Sequence, residues 1–429
     1  MVTLLFSAVG TAIGGPLGGV VGALLGRQGD NAILGSGHVR GPRLSELQAT
    51  TSSYGSVIAR HYGRMRVPGT VIWSTNLVES SETRGGKNRP DVTTYSYSIS
   101  FAVALASRPI QGIGRIWADG RLLRGEAGDL KVSGRMRVYT GQSDQAADPL
   151  IAANEGIANC PAYRGLAYVV FEDLDLSEFY NRLPALTFEV IADEEGFSLA
   201  DIVGEIIEDV DADVSLPELM GFTCDGSIAD TFSQLQPIYP INTDANGATM
   251  VFARERLQSA PIRLPAATAS VEDGAFGGGT GFAHQRMPLP ERAPEVLRYY
   301  DIDRDYLPGL QRSIGQPGPG QPQVLDLPAA LSAGNARKLV ETLKQKANWQ
   351  RDQLSWRCSQ IDPSLVPGAV VTVPGRPGRW SVEEWEWRPE GVELSLKRVV
   401  PIGADATPSG ETEPGRINRP TDLPAPLPL

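Results

Sequence analysis

Period-two alternation of apolar and polar residues recurs along much of this chain and predicts strands before anything else. Residues 93–106 (TTYSYSISFAVALA) alternate for most of their length and then become wholly apolar. That is the pattern of a half-buried strand running into a core. Residues 67–78 (VPGTVIWSTNLV) read as extended, and 112–123 (GIGRIWADGRLL) as a hairpin with Asp119-Gly120 at its turn, since Asp-Gly is a strong two-residue turn signal. Residues 135–140, 166–171 and 185–191 are further strands, with an acidic loop predicted over 173–180. Residues 148–156 (DPLIAANEG) open with Asp then Pro and close with Gly, which marks a short helix.

The period then changes to that of helices. Residues 198–209 (SLADIVGEIIED) place apolar side chains at 199, 202, 203, 206 and 207 behind a serine cap, and 227–235 predict a second helix. A strand at 249–253 follows, then a glycine-rich loop over 273–282. Residues 295–300 return to a strand, 315–323 form a Gly/Pro loop, and 329–353 predict the longest helix, with apolar positions at 336, 339, 340, 343, 347 and 354. Strands at 370–373, 380–387 and 391–398 close the periodic part; beyond Pro401 the chain is Pro/Gly/Thr-rich and reads as a linker or a partner-binding strap.

The N-terminus follows neither period. Residues 1–26 carry no charge, and Gly10, Gly14, Gly18, Gly22 and Gly26 recur every four residues. On a helix that step draws one stripe without side chains, along which another helix can approach to backbone contact. Two other readings stand beside this glycine zipper: a membrane-inserting segment, which the apolar length allows, and an unstructured glycine-rich tail. A secretory signal fits badly, because a basic leading region is missing.

Composition adds that 47 glycines and 33 prolines in 429 residues favour short strands and turns, in two to four domains. Cys160, Cys224 and Cys358 lie far apart and fit neither a zinc spacing nor a disulfide framework, so the chain reads as made in a reducing cytoplasm. The net charge of −11 argues against wrapping nucleic acid but lets DNA slide past an acidic wall. Acid-rich stretches at 172–178 and 205–213 are candidates for such a wall, with solubility as the plain alternative.

Catalytic constellations are not found. His38, His61 and His284 stand in no metalloprotease or deaminase context, and neither a G-x-S-x-G elbow nor a phosphate loop occurs; the loop 277–281 lacks the lysine. Asp301, Asp303 and Asp305 begin like a calcium loop, but Tyr306 stands where glycine is required and Arg312 where glutamate is. A solvated strand edge is the better reading of them. Acidic pairs such as Glu172-Asp173 and Glu383-Glu384 lie on adjacent strand positions that point to opposite faces, a poor start for glycoside hydrolysis. Five of the seven tryptophans fall between 349 and 387 (Trp349, Trp356, Trp380, Trp385, Trp387); they read as filling between a helix and a small sheet rather than as a sugar platform. We therefore expect no catalytic residues, metal or cofactor.

Residues 52–66 (SSYGSVIARHYGRMR) with 67–75 resemble the N-terminal signature of phage tail tip-attachment proteins, a baseplate hub family, and are similar to the large tail-tip protein of gene transfer agents. The resemblance continues in order through 97–106, 114–123 (GRIWADGRLL), 138–145 (VYTGQSDQ), 148–156, 161–171 (PAYRGLAYVVF) and 183–190 (LPALTFEV), and later through 293–312 and 366–373. It implies a mainly β protein with α+β insertions, whose β-barrel-like hub domains form a trimeric ring continuing the tail tube, without an active site.

The implied layout is a glycine-zipper apolar segment at 1–30, a first hub β domain at 31–196, a small α+β domain at 197–293, a second hub β domain with the long helix at 294–400, and a Pro/Gly-rich tail at 401–429. The implied role is a structural hub of the tail tip in the virion that closes the tube and takes part in DNA delivery. Its partners would be two further copies of itself, the distal tail protein, the second hub protein, the tape-measure protein, and genome DNA passing the lumen without specific binding. The segment 1–26 would plug the tube or enter the host membrane. The extra N-terminal domain and the long fibre of relatives are not expected here, so receptor binding falls to another protein. Competing classes are a membrane-anchored bacterial surface protein and a carbohydrate-binding cell-wall protein.

Overall fold

In the computed structural model, strands form where the alternation is longest. The structure describes residues 39–40, 57–86, 89–212, 214–239, 241–246, 248–254, 260–269, 280–288, 294–314, 323–360, 362–388 and 391–401. The glycine stripe from Gly10 to Gly26, His38, most of the 273–282 loop and the tail after 401 lie outside the described residues.

The first elements are β1 (Val39–Arg40), β2 (Arg60–Pro68), β3 (Thr70–Ser74), β4 (Val78–Gly86) and β5 (Arg89–Ala106). β5 pairs with β4 along its polar half, then carries its apolar half, Ile99 to Ala106, into the core. β6 (Gly112–Ala118) and β7 (Arg121–Arg124) turn over Asp119 (φ 49) and Gly120 (φ 79), two left-handed residues as a tight hairpin requires. β8 (Arg135–Tyr139) precedes α1 (Pro149–Glu155), which Asp148 caps and Gly156 ends. β9 (Ala167–Asp175) runs past the point where an acidic loop was expected, because Leu174 and Leu176 are fully buried and draw it on; β10 (Leu186–Ile191) follows.

α2 (Leu199–Gly204) opens with the capping box of Ser198 and Asp201 and ends sooner than its periodicity predicts. Gly204 weakens the helix, and Glu205 turns outward to Arg108. β11 (Val210–Asp211), β12 (Gly221–Cys224), α3 (Ile228–Leu235), β13 (Ile241–Asn246), β14 (Thr249–Arg254), β15 (Ile262–Arg263), β16 (Phe282–Arg286), β17 (Pro294–Asp301), β18 (Leu307–Arg312) and β19 (Gln323–Leu331) lead to α4 (Ala333–Trp349). Residues 329–331, expected as helix, belong to β19 because β12 pairs with Ala329 and Ala330, and Ser332 then caps α4. β20 (Asp352–Cys358), β21 (Val370–Val373), β22 (Arg376–Arg388) and β23 (Gly391–Arg398) complete the chain.

The described residues are mainly β, 48% strand and 15% helix. One eight-stranded sheet has the order β18-β17-β19-β12-β2-β10-β6-β7, so it draws strands from both expected hub segments and from the stretch between them. A six-stranded sheet centred on β5 and β9 packs Phe101, Val103, Val169 and Phe171 against Ile116, Phe188 and Val190 of the first. The three helices α2, α3 and α4 share a second core with Tyr62, Phe222, Leu297 and Tyr299. A separate six-stranded sheet, β15-β21-β22-β23-β20-β16, closes its own core around Trp356, Trp380 and Leu394.

Candidate functional site

β2 lies where the layers meet, and the side chains around it form two charged junctions. The first joins β6, β10 and the turn between β17 and β18. Arg115 Nε donates to Glu189 Oε2 at 2.9 Å, and another nitrogen of the same guanidinium meets Asp305. Tyr306 donates its hydroxyl to Glu189 Oε1 at 3.1 Å. Burial alone would raise the Glu189 carboxyl, but Arg115 outweighs it through its side chain and backbone N–H, leaving the group below the usual carboxylate range. Arg66 stacks over Trp117, 3.9 Å from the ring centroid, and donates to Thr187 Oγ1 and the Asp305 carbonyl.

The second junction joins β2 to α2 and the strand end at 192–193. Arg108 bridges Asp193 at 2.9 Å and Glu205 at 2.7 Å, while Tyr62 donates to Glu205 Oε2 at 3.0 Å. His61 lies beside it, 4% exposed, with Nδ1 3.1 Å from Thr223 Oγ1. Burial, joined by Arg108, holds its imidazole neutral and lowers its pKa to about 4. A third cluster anchors α1: the fully buried Asp148 accepts from Arg137, from the Tyr139 hydroxyl and from the backbone of Leu150 and Ile151.

The sequence-marked residues fall into place around these junctions. Asp301, Asp303 and Asp305 lie at the end of β17 and in the turn after it; Asp303 and Asp305 are exposed, as the solvated reading expects, and Asp301 is not. Asp301 is fully buried and caps the 3-10 turn by accepting from the Asp303 N–H, and Asp305 turns away to Arg115. Among the described residues no group of three or more His, Cys, Asp and Glu could hold a metal. Cys160, Cys224 and Cys358 are free, and burial pushes the Cys224 and Cys358 thiols up to about 11. In the acid-rich stretches Glu172 is paired with Arg137 and Glu205 with Arg108, while Asp173 and Glu178 are exposed. No helix of the described residues is long and apolar enough to cross a membrane.

Of the clustered tryptophans, Trp356 and Trp380 are core, whereas Trp385 is 40% and Trp387 64% exposed. Two shallow hollows, about 310 and 250 Å³, lie beside β19 and are both lined by Tyr300 and Pro328. Their walls are mostly apolar; His61 lines the larger one, neutral and already bonded to Thr223. This arrangement suits docking better than proton transfer. Sequence reasoning missed both junctions. Their only sequence signal was the accumulation of arginines on and beside strands, which does not name a partner.

Residues 227–385 match the family model described as "Putative phage tail protein". Over 95% of its length the chain superposes on 99% of a chain from the "Virion of native gene transfer agent (GTA) particle", with a TM-score of 0.65 and 28% identity. It also aligns with the prophage MuSo2 43 kDa tail protein from Shewanella oneidensis, at 10% identity over 75% of this chain and 97% of that chain with a TM-score of 0.29. The corresponding values for prophage tail protein gp18 from Listeria monocytogenes EGD-e are 10%, 70%, 84% and 0.27. No curated protein matches.

Proposed function

We propose, from the premise that this is a virion protein of a phage-type tail, that the chain is a hub subunit of the tail tip which closes the tail tube and takes part in DNA delivery. The observation that carries this reading is the likeness to a gene transfer agent virion chain along nearly the whole of both chains. The architecture supports it: mainly β layers locked by buried ion pairs make a rigid building block, and the described residues offer docking furrows rather than a catalytic cluster.

In this reading three copies surround the tail axis, with the strands of 50–190 and 294–400 carrying a pseudo-sixfold ring. They meet the distal tail protein, the second hub protein and the tape-measure protein, and the role is structural rather than enzymatic. DNA passes without specific binding past a chain of net charge −11. The segment with Gly10, Gly14, Gly18, Gly22 and Gly26 serves as plug or membrane-inserting element. A density map of intact particles tests the proposal: three copies on the axis at the tip support it. One copy, six equivalent copies, or a position along the tube wall refutes it.

A further inference from the structure

β22 is thirteen residues long, and β21 covers only its first part, pairing Val371 with Trp380 and Val370 with Ser381. The covered stretch ends at Val382, which bonds Gly368 and Ala369 through its carbonyl and N–H. After a bulge, β22 continues alongside β23 as far as Arg388. Among the described residues no strand pairs with the opposite edge of this overhang.

The overhang is apolar on one face. Trp385 stands opposite Leu394 and Trp387 opposite Val392, and directly opposed residues share a face of the sheet. Leu394 and Val392 are 1% and 0% exposed, so the row Phe282–Trp356–Leu394–Trp385 begins in the core and runs out onto an open edge. Glu383 and Glu386 on the overhang are already paired with Lys397 and Arg388. An edge like this is a template for a further strand and an aggregation hazard if left bare.

The chain contains a segment suited to it. Residues 423–429 read Leu-Pro-Ala-Pro-Leu-Pro-Leu, a strict period of two. In an extended strand alternate residues share a face, and their N–H groups point to the same edge. Pro424, Pro426 and Pro428 would therefore leave one edge without donors, while Ala425, Leu427 and Leu429 keep theirs for the other. Such a strand can pair on one side only, so it caps a sheet rather than extending it. Its second face is wholly apolar and matches the tryptophans.

The reach is right as well. β23 ends beside the covered part of β22, where Val399 N–H bonds the Arg379 carbonyl. The overhang lies a few residues further, about 15–30 Å at the rise of a strand. The 21 connecting residues, 402–422, can span at most about 70–75 Å, so the overhang is within their reach.

We propose that residues 423–429 of the same chain add to the open edge of β22 at 383–388 as an extended strand. Leu423, Ala425, Leu427 and Leu429 lie on the face of Trp385 and Trp387, and the prolines lie on the face of Glu386.

Disulfide trapping in the 429-residue chain tests this. In a Cys160→Ser background, Glu386→Cys is combined in turn with Cys at 424, 425, 426, 427 and 428 under mild oxidation. The expected result is cross-linking within one chain at even positions, with odd positions about tenfold weaker because their side chains face away. Leu423→Asp with Leu427→Asp should abolish the alternation. Cross-linked dimers would assign the edge to a second copy, and equal or absent yields would refute docking; either overturns the proposal. So would chitin-oligosaccharide quenching of tryptophan fluorescence that Trp385→Ala with Trp387→Ala removes in a chain showing no alternation, since the pair would then be a sugar platform.

Discussion

Gly63 on β2 and Gly221 on β12 face each other in register, and neither position has room for a side chain. A Cβ at Gly63 would sit 2.3 Å from the Met220 carbonyl oxygen, and one at Gly221 would sit 2.1 Å from that of Arg64. Gly63 also takes a left-handed φ of +64, and its N–H donates to Asp193. We expect Gly63→Ala and Gly221→Ala each to destabilise by about 2–4 kcal/mol through overpacking, with backbone strain added at Gly63. Gly112→Ala, where a Cβ meets nothing within 4 Å, should stay within about 0.5 kcal/mol. Urea midpoints of the three variants check the contrast; a neutral Gly221→Ala would show that the sheet can shift there.

Removing Arg115 strands Glu189, whose side chain is 8% exposed. Arg115→Ala should cost about 2–4 kcal/mol, less than a fully buried pair because Arg115 itself keeps some solvent. Tyr306→Phe, which leaves the ion pair intact, should cost about 1 kcal/mol. Native-state hydrogen exchange should show the 301–306 turn opening first in Arg115→Ala. Protection of that turn equal to the wild type would mean that the junction does not hold it.

Asp148 combines a helix cap with a buried charge. Asp148→Asn keeps a side-chain oxygen for the α1 N–H groups but loses the Arg137 pair, while Asp148→Ala loses both. Denaturant unfolding should rank them with alanine the more damaging by about 1 kcal/mol, the usual worth of a cap. Equal losses would show that the cap contributes nothing beyond the ion pair.

His61 predicts an acid limb of instability. Its pKa is about 4 in the folded chain, against about 6.5 in an unfolded one. Between these values the unfolded chain holds a proton that the folded chain lacks, so stability rises with pH. The contribution is complete above about 6.5 and lost as pH falls to about 4, roughly 3 kcal/mol in all. Asp148 and Glu189 are lowered in the fold, so their contributions are present above about 4 and disappear only below it. Melting temperatures of His61→Gln between pH 4 and 6.5 should therefore fall less steeply than those of the wild type; parallel curves would place the titration elsewhere.

Local chemistry made some elements legible. Asp119-Gly120 names its own turn, Asp148-Pro149 its own helix start, and β5 its own face. What stayed illegible depended on distant partners. Ala329 and Ala330 have the local character of helix, and pairing with β12, more than a hundred residues earlier, and with β17 makes them strand. Asp301 reads like the exposed Asp303 and Asp305, and nothing near it in sequence marks its burial; the Arg115 that pairs with Asp305, 190 residues away, leaves no mark nearby either. Trp380 and Trp385 are alike in sequence, and the bulge after Val382 with the end of β21 separates core from surface.

The place of β2 in the middle of the large sheet, between β10 and β12, also sets an order of events during synthesis. Residues 60–68 emerge early, but the sheet beside them is complete only when β19, ending at Leu331, has left the ribosome. At about 5–20 residues per second that interval is on the order of 10–50 s. During it β2 waits first for β12, which ends at Cys224, and β12 then waits for β19, so one strand edge stays exposed to chaperones and to other nascent chains. The same interleaving that makes the finished subunit rigid thus makes its birth slow, and the moment of greatest risk comes well before the subunit meets any other part of the tail.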